Sequence, residues 1–375
     1  MSYDVVHLTT VHPRSDTRIL IKECSSLAKK YKLALIVADG LGDEKKNGID
    51  IFDIGKFNGR FNRIKNASKR IYKQALSLNA KIYHFHDPEL IPMGVKLKEA
   101  GKKVIFDAHE DLPKQILTKH YLRPMVRKIL SRLIEVYEKK QCAKFDGIVT
   151  ATPYIRDKFK KIHSTVIDIN NYPLLKEFTY DPKLFENNNL DAVCYVGAID
   201  VVRGVESNID ALPNDGSIKL LLAGRFSNEK FYEKCKNKQK WENVNYYGFA
   251  DRDLVKNIFS NSFAGLVTLL PMPSYLDSLP VKMFEYMAYG LPVIASDFPY
   301  WKDIIEKFEC GICVNPLNIE EINSALSFLA NNPDYCKKLG HNGRKAVLEI
   351  FNWDNEEVKL FDFYTILLNE KSEKV

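Results

Sequence analysis

Short apolar segments alternate with amphipathic ones along the first half of the chain, and this alternation restricts the fold more than any other feature. The apolar segments have the length of strands, and the segments between them have helical spacing. The strand-like segments are 4–8, 33–38, 51–54, 81–85, 103–107 and 147–150. The helix-like segments are 17–30, 60–78, 90–100 and 123–140. Strands that alternate with helices pair in parallel, so the sequence predicts an α/β fold with a doubly wound sheet.

A polar linker, residues 170–189, precedes a second series of the same kind. Its strand-like segments are 192–196, 219–223, 244–250, 263–270 and 293–295. Its later helix-like segments are 300–308, 319–331 and 333–351. A chain of 375 residues is long enough for two domains. We predict a first domain over residues 1–175 and a second over residues 190–352.

The two halves differ in charge. Residues 1–175 contain 33 Lys and Arg against 19 Asp and Glu, whereas residues 176–375 contain 22 against 29. A basic first half favours a polyanionic partner. Segments 60–73 and 114–140 combine basic and apolar side chains, which is typical both of a helix on an anionic membrane surface and of a core-facing helix with a solvated outer face. Zinc-finger spacing, RNP-type aromatic motifs and an Arg-rich tail are absent from the sequence, which argues against nucleic acid as a partner.

The cysteines and the apolar runs bear on location. Seven cysteines are scattered along the chain, and an odd number favours reduced thiols in a cytoplasm. The pair Cys310 and Cys313 forms a lone CxxC, which favours buried structural thiols over zinc or redox chemistry. No apolar run approaches the roughly 20 residues of a membrane helix, and the first residues lack a signal pattern. We therefore expect a cytoplasmic location, with peripheral binding to the inner face of the plasma membrane.

Residues 277–297 contain the strongest functional signal. Pro280 suits the first position of a helix, and Gly290 suits its end. The free N–H groups at Val281 and Lys282 would form a seat for phosphate, with the Lys282 charge beside them. Glu285 on the second turn has apolar neighbours, where a carboxylate without a partner is costly. Capping and solvation are the alternative roles for the acids of this segment.

The run Ser-Leu-Pro-Val-Lys-Met-Phe-Glu-Tyr-Met-Ala-Tyr-Gly-Leu-Pro-Val-Ile-Ala-Ser, residues 278–296, resembles the donor-binding segment of the retaining family-four glycosyltransferases. The resemblance implies a GT-B fold, with two Rossmann-like domains that face each other across a cleft. It also implies that Glu285 binds the ribose of the donor. Asp277 stands where the family has the first Glu of a Glu-x7-Glu motif, which contacts the transferred sugar. Residues 351–356 resemble the family's terminal turn, which implies a helix over 353–375 that crosses back to the first domain.

Further donor contacts follow from the same resemblance. Relatives have a Val-Gly-Arg motif and then a Lys-Gly pair after the first strand of this domain, and here Ala198 replaces the Arg while Arg203 replaces the Lys. Arg203 keeps a charge for the donor diphosphate. Arg225 could compensate for the missing Arg, although a surface turn is an equal alternative. Phe249 lies in the segment that the family uses to hold the nucleobase.

Polar residues also end the strands of the first half, where parallel sheets bind ligands. After residues 4–8 come His12 and Arg14, which we expect on the acceptor side, although Ser15 and Asp16 could simply cap the next helix. His86 follows another strand and resembles the family's histidine there. A metal site from His84, His86 and Asp87 is less favoured than one core and one cleft histidine, and Asp87 could cap the helix at Pro88.

His109 matches the histidine that contacts the donor sugar or its phosphate in the family. Together these matches imply retaining transfer of a hexose or N-acetylhexosamine from a nucleotide sugar, with UDP-sugar first and GDP-sugar second. His109 and Asp277 would position the sugar, and no metal, cofactor or dedicated base would be needed. The acceptor would be a glycan, such as a polyprenyl-pyrophosphate-linked one in O-antigen or capsule synthesis. The alternatives are a UDP-sugar 2-epimerase and an inactive nucleotide-sugar binding protein.

Overall fold

The computed structural model describes residues 2–119, 121–178 and 190–369. The chain forms two compact units. The first contains the residues up to Asn171 together with those from Asn355 onwards, and the second contains residues 172–354. Within the described ranges, no helix is both long enough and apolar enough to cross a bilayer.

The first unit is built on an eight-stranded sheet. Its strands are β1 Val5–Leu8, β2 Leu33–Val37, β3 Glu44–Lys46, β4 Ile49–Asp53, β5 Ile82–Phe85, β6 Lys103–Ala108, β7 Gly147–Thr150 and β8 Val166–Asp168. They lie in the order β3-β4-β2-β1-β5-β6-β7-β8. All neighbours are parallel except β3 and β4. β1, β2, β5 and β7 are buried along their whole length, as expected for parallel strands covered on both faces.

Helical segments connect these strands. They are Thr17–Cys24, Ser25–Leu27, Arg60–Asn62, Arg63–Ala67, Ser68–Leu78, Pro88–Leu90, Ile91–Glu99, Leu112–Leu117, Pro124–Cys142 and Pro153–Phe159. The helix Trp353–Asn369 returns to this unit from residue 355 onwards. Its Phe363 packs so closely on β7 that a Cβ atom at Gly147 would lie 2.6 Å from the ring. Close packing here therefore depends on a glycine in the strand.

The second unit contains a six-stranded parallel sheet. Its strands are β9 Ala192–Val196, β10 Lys219–Ala223, β11 Val244–Gly248, β12 Ala264–Val267, β13 Val293–Ser296 and β14 Gly311–Val314, in the order β11-β10-β9-β12-β13-β14. Its helical segments are Leu175–Glu177, Val201–Arg203, Val205–Ala211, Glu229–Lys236, Gln239–Asn243, Arg252–Ser260, Val281–Tyr289, Pro299–Phe308, Ile319–Asn331 and Pro333–Glu349. Trp301, Tyr195 and Tyr286 are among its fully buried side chains.

Strand order locates the ligand-binding edge of each sheet. The winding direction reverses between β9 and β12 in the second unit, and between β1 and β5 in the first. At such a reversal the loops leave in opposite directions and open a crevice beyond the carboxyl ends of the strands. The loops after these four strands contain many of the candidate residues.

Three local features differ from the sequence prediction. Residues 17–30 do not form one α-helix, because Thr17–Cys24 is a wide π-helix in which the Ile21 N–H donates to the Asp16 carbonyl. The sequence analysis missed β3 and β8, which are only three residues long and lie at the sheet edges. The helix predicted to start at Pro280 starts one residue later, at Val281.

Candidate functional site

The loop after β9 approaches the helix Val281–Tyr289 closely. Gly197 has φ of 133°, and a Cβ atom there would lie 3.4 Å from the Lys282 Nζ. Gly224, at the end of β10, packs on the Gly197 carbonyl, so that a side chain at Gly224 would overlap it. Glycine at both positions lets two strand ends meet beside the ammonium group.

Lys282 is a buried basic side chain that forms no ion pair with any residue in the described ranges. It is 8% exposed, and among the described residues its Nζ has no hydrogen-bonding partner. The ammonium group lies over the Tyr195 ring, 3.4 Å from the ring centre. Burial, and then the neighbouring Arg203, lower the pKa of Lys282 well below its usual value. Such a group is costly unless an anion joins it.

The start of the same helix offers backbone donors. Pro280 precedes the helix, and within the described part of the chain no side chain caps this end. The Ser278 hydroxyl donates instead to the Tyr275 carbonyl. The free N–H groups, the positive end of the helix dipole and the Lys282 side chain therefore all favour an anion at this helix start.

Arg203 lies in the loop after β9, on the other side of the winding reversal from the helix Val281–Tyr289, which follows β12. It ends the short helix Val201–Arg203, and Gly204 follows with φ of 73°. A side chain at Gly204 would overlap the carbonyl oxygen of Thr268, just after β12. The Leu270 N–H donates to the Val202 carbonyl at 3.0 Å. These contacts hold Arg203 near Tyr195 and Lys282. Its positive charge opposes the rise that burial causes in the pKa of Tyr195, and it lowers the pKa of Lys282.

Glu285 has a partner that the sequence analysis missed. Its Oε1 lies 3.1 Å from the Nη1 of Arg252, whose Nη2 lies 3.1 Å from Glu177. The Glu285 side chain is 18% exposed. Arg252 is 33 positions away in sequence and on a different helix, so nothing in the sequence signalled the pairing.

The structure also brings Arg225 and Phe249 together. Both side chains are exposed, and the Arg225 guanidinium lies 5.0 Å from the centre of the Phe249 ring. An exposed aromatic ring of this kind can stack with a planar ligand. Asp277 lies half-buried in the turn before the helix Val281–Tyr289, next to Ser278.

In the first unit, a buried carboxylate organises the polar residues. Asp107 receives two hydrogen bonds from Arg18, at 3.0 and 2.8 Å, and its Oδ2 lies 3.1 Å from His86 and 2.9 Å from His109. Burial raises the pKa of Asp107, but the Arg18 charge and then His109 hold it well below its usual value. Burial lowers the pKa of His86 to about 4.

These histidines differ in access. The His86 side chain has no exposed surface, whereas that of His109 is 18% exposed. The His12 ring lies 4.9 Å from that of His109. Burial lowers the pKa of His12, but its hydrogen bond to Asp16 and the nearby Asp87 outweigh burial and raise it. His12 and His109 are therefore the accessible pair of this cluster.

Asp87 does not cap the helix at Pro88, which the sequence analysis offered as an alternative. Its carboxylate accepts hydrogen bonds from the Thr9 hydroxyl, from both the N–H and the hydroxyl of Thr10, and from the Val11 N–H. These bonds fix the loop after β1. Asp16, by contrast, does cap the helix that follows it, at the N–H groups of Arg18 and Ile19.

Arg14 is already engaged. Its Nε and Nη2 donate to Asp39 at 2.8 and 2.6 Å, its Nη1 lies 3.1 Å from Glu44, and Nη2 also donates to the Gly42 carbonyl. These contacts join the loops after β1 and β2. Arg14 would reach an acceptor only by giving them up.

The second unit also matches a known family. Residues 176–346 match the family described as glycosyl transferases group 1. The matched residues all lie within the second unit. An uncharacterized glycosyltransferase of Methanocaldococcus jannaschii is 24% identical over 180 residues, which are 47% of this chain and 45% of that protein. The chain therefore aligns with less than half of that relative.

Solved structures share the fold of this chain. Sucrose-phosphate synthase from Thermosynechococcus elongatus matches 98% of this chain and 100% of its own, with a TM-score of 0.77 and 16% identity. HepE from Anabaena, in complex with UDP and glucose, matches 97% of this chain and 100% of its own, with a TM-score of 0.74 and 12% identity. The fold is the GT-B fold, as predicted, with a C-terminal helix that belongs to the first unit.

Proposed function

We propose that this group 1 glycosyltransferase moves a hexose or N-acetylhexosamine from a nucleotide sugar to a glycan acceptor, with retention at the anomeric carbon. The observation that carries the proposal is the buried Lys282 ammonium group, which has no hydrogen-bonding partner in the described chain. It lies at an uncapped helix start. A diphosphate would supply the charge and the acceptors that both lack. UDP-sugar is the first choice, since the similarly folded HepE was solved with UDP, and GDP-sugar is the second.

Each candidate residue then has a role. Arg203, Lys282 and the N–H groups of the helix Val281–Tyr289 neutralise the diphosphate, while Glu285 binds the ribose. The nucleobase stacks beside Phe249 and Arg225. Asp277 and His109 position the hexose, and His12 binds the acceptor. Arg14 and His86 support this acceptor side from within the first unit.

The chemistry needs charge stabilisation more than a dedicated base. The bond between the anomeric carbon and the diphosphate oxygen breaks, and its electron pair leaves with the diphosphate. The acceptor oxygen forms the new bond on the same face, and its proton passes to the departing diphosphate. Preorganised positive charge at Lys282 and Arg203 stabilises the leaving group in the transition state.

A thermal-shift screen against nucleotides and nucleotide sugars tests donor binding, followed by product analysis with and without acceptor. We expect Lys282→Ala to weaken UDP binding roughly 10- to 100-fold, because a hydrogen bond to a charged group contributes about 1.5–3 kcal/mol. Lys302→Ala is the matched control, since that lysine is exposed and lies 3.6 Å from Glu306, four residues on. Equal affinity in both variants would overturn the donor site, and epimer formed without acceptor would indicate a 2-epimerase instead.

We further propose that the acceptor is lipid-linked, as in O-antigen or capsule synthesis, and that the helix Pro124–Cys142 docks on the inner face of the plasma membrane. Its side chains Met125, Ile129, Leu133 and Val136 are 55–75% exposed. At about 100° per residue they form one stripe, and the buried Ser131, Glu138 and Cys142 lie on the opposite side. A continuous exposed apolar stripe is unusual for a solvated face.

Basic residues border this stripe. By the same helical geometry, Lys128, Arg132 and Lys139 fall along one side of it, and Lys140 falls in line with it near the C-terminal end of the helix. Arg127 is engaged elsewhere, since it donates to the Leu117 carbonyl at 2.9 Å. In the segment 60–73, Phe61 is 90% exposed, but Arg63 pairs with Glu89. Apolar and basic side chains in this arrangement suit an anionic bilayer.

Vesicle flotation tests the surface, with phosphatidylglycerol vesicles compared with phosphatidylcholine vesicles. We expect binding to the anionic vesicles that weakens with salt and is lost in the double variant Met125→Ser, Leu133→Ser. Leu317→Ser is the control, because Leu317 is 64% exposed but lies in the second unit. Equal flotation of both variants would remove this surface from the proposal.

A further inference from the structure

Three histidines and a glutamate meet in the interior of the first unit: His7, Glu23, His84 and His86. His7 on β1 and His84 on β5 are direct neighbours in the parallel register, and His86 follows two residues later on the same face. Glu23 comes from the π-helix Thr17–Cys24. All four residues are at most 1% exposed. One potential ligand atom from each lies within 4.8 Å of the other three.

Three of the five inward-facing atoms of this group lack hydrogen bonds to any residue that the structure describes. The His84 Nε2 and both Glu23 carboxylate oxygens have no hydrogen bond within the described chain, although Glu23 Oε1 lies 3.1 Å from Arg18 as an ion pair. The His7 Nδ1 and the His86 Nε2 face each other at 2.9 Å. Buried polar atoms without hydrogen bonds are rare, and each calls for a ligand or a structural explanation.

The outward-facing nitrogens, by contrast, are all held. The Tyr364 hydroxyl lies 2.7 Å from the His84 Nδ1 and 3.2 Å from the His7 Nε2. The His86 Nδ1 lies 3.1 Å from the Asp107 Oδ2. Histidines that bind metals almost always have their second nitrogen fixed by a carboxylate or another acceptor. All three rings show that arrangement.

We propose that His7, Glu23, His84 and His86 bind one divalent transition-metal ion, and that zinc is the ion this donor set favours. Three imidazoles and one carboxylate form a closed tetrahedral set without a place for water or substrate, as in structural zinc sites. Zinc–nitrogen bonds of about 2.0–2.1 Å put ligand nitrogens about 3.3 Å apart, so the His7 and His86 nitrogens need to separate by only a few tenths of an ångström.

Charge supports the same assignment. The Arg18 guanidinium lies between Asp107 and Glu23, so one of two buried carboxylates lacks its own cation when both are ionised. A divalent ion supplies that charge. A competing set is formed by His86, Asp107 and His109, but Asp107 is already bound by Arg18 through both oxygens. The proposed ion is structural: it joins β1, β5 and the helix Thr17–Cys24 and takes no part in the transfer reaction.

Metal analysis of the untagged full chain tests the site. We expect about one zinc per chain by mass spectrometry, consistent with a closed four-ligand site. After the metal is stripped with a chelator, Co²⁺ should bind at one equivalent with the visible absorption bands of tetrahedral nitrogen and oxygen ligation. Zn²⁺ should then displace it and raise Tm. Absence of metal in the purified chain, together with no Co²⁺ bands and no change in Tm, would overturn the proposal.

Variants assign the ligands. Glu23→Gln keeps the shape but removes the charge, and it should abolish the Co²⁺ bands, whereas His109→Gln should retain them. His341→Gln is a control for adventitious binding, since His341 is exposed in the second unit. If Glu23→Gln does not fold, Tyr364→Phe tests the outer contacts and should weaken metal binding about 10- to 100-fold. Metal retained in folded Glu23→Gln, unchanged affinity in Tyr364→Phe, or metal lost in His109→Gln, would contradict the assignment.

Discussion

The Lys282 Nζ lies 3.4 Å from the centre of the Tyr195 ring, a contact that favours the protonated form of the lysine but supplies no counter-ion. Burial and Arg203 keep the pKa of Lys282 well below its usual value in the free protein. A bound diphosphate adds negative charge and would raise that pKa again. The lysine then gains a proton on binding at any pH between its lowered pKa and the usual value of about 10.4.

UDP affinity should therefore fall as pH rises through this window, and binding should take up a proton. Calorimetry between about pH 6 and pH 10, in buffers with different ionisation enthalpies, measures the uptake. Lys282→Arg keeps the positive charge at every pH, so this variant should bind UDP without proton uptake. Proton uptake that is equal in the two proteins would exclude Lys282 as its source.

Arg252 should influence the donor through Glu285. Arg252→Gln removes the ion pairs to Glu285 and Glu177, so the ribose-binding carboxylate loses its support and KM for the nucleotide sugar should rise. Stability should change by less than about 1 kcal/mol, because exposed ion pairs contribute little. Steady-state kinetics and urea unfolding measure the two effects. Lys256→Gln, on the same helix but next to Asp253 at 4.0 Å, should leave KM unchanged.

Two glycines with similar backbone angles should respond differently to alanine. Gly204 and Gly248 have φ of 73° and 67°, so each alanine costs roughly 1–2 kcal/mol from the left-handed backbone alone. A Cβ atom at position 204 would also overlap the Thr268 carbonyl, whereas nothing lies within 4 Å of a Cβ atom at position 248. Urea unfolding should show the larger loss for Gly204→Ala. Equal losses would mean that the Thr268 loop moves aside freely.

The C-terminal helix should contribute strongly to the stability of the first unit. Phe363→Ala removes a ring that is 4% exposed and packs on Gly147, and it should cost about 3–5 kcal/mol. Ile366→Ala, three residues later on a side chain that is 54% exposed, should cost no more than about 0.5 kcal/mol. Chemical denaturation, monitored with a spectroscopic probe in the first unit, measures the free energy of unfolding of each variant. A small effect of Phe363→Ala would show that the helix adds little.

The sequence predicted both parallel sheets because most interior strands are short, largely apolar runs. It missed β3 because Glu44–Lys46 is entirely charged and exposed, so only the chain reversal at Gly48 creates the pairing. The phosphate seat at Lys282 was predictable because its residues are contiguous. Arg252 was not, since its contact with Glu285 depends on how two helices pack.

The interior of the first unit was the least predictable part. Glu23 and Arg18 are five positions apart, which places them about 140° apart on an ordinary α-helix. The wider π-helix brings them together at 3.1 Å. His84 and His86 were expected to divide between core and cleft, yet both rings lie in the interior beside His7. The register between β1 and β5 brings these three histidines together, and register cannot be predicted from local composition.

The first unit is completed by residues that are synthesised after the second unit. Tyr364 reaches His84 and His7, and Phe363 covers β7. While the ribosome is still translating the second unit, Phe363 is not yet available to cover β7 in the first unit. His7 and His84 likewise lack their contact with Tyr364 during this time. Synthesis and maturation of this half are therefore separated in time by nearly the whole second domain, an interval in which chaperones have access to it.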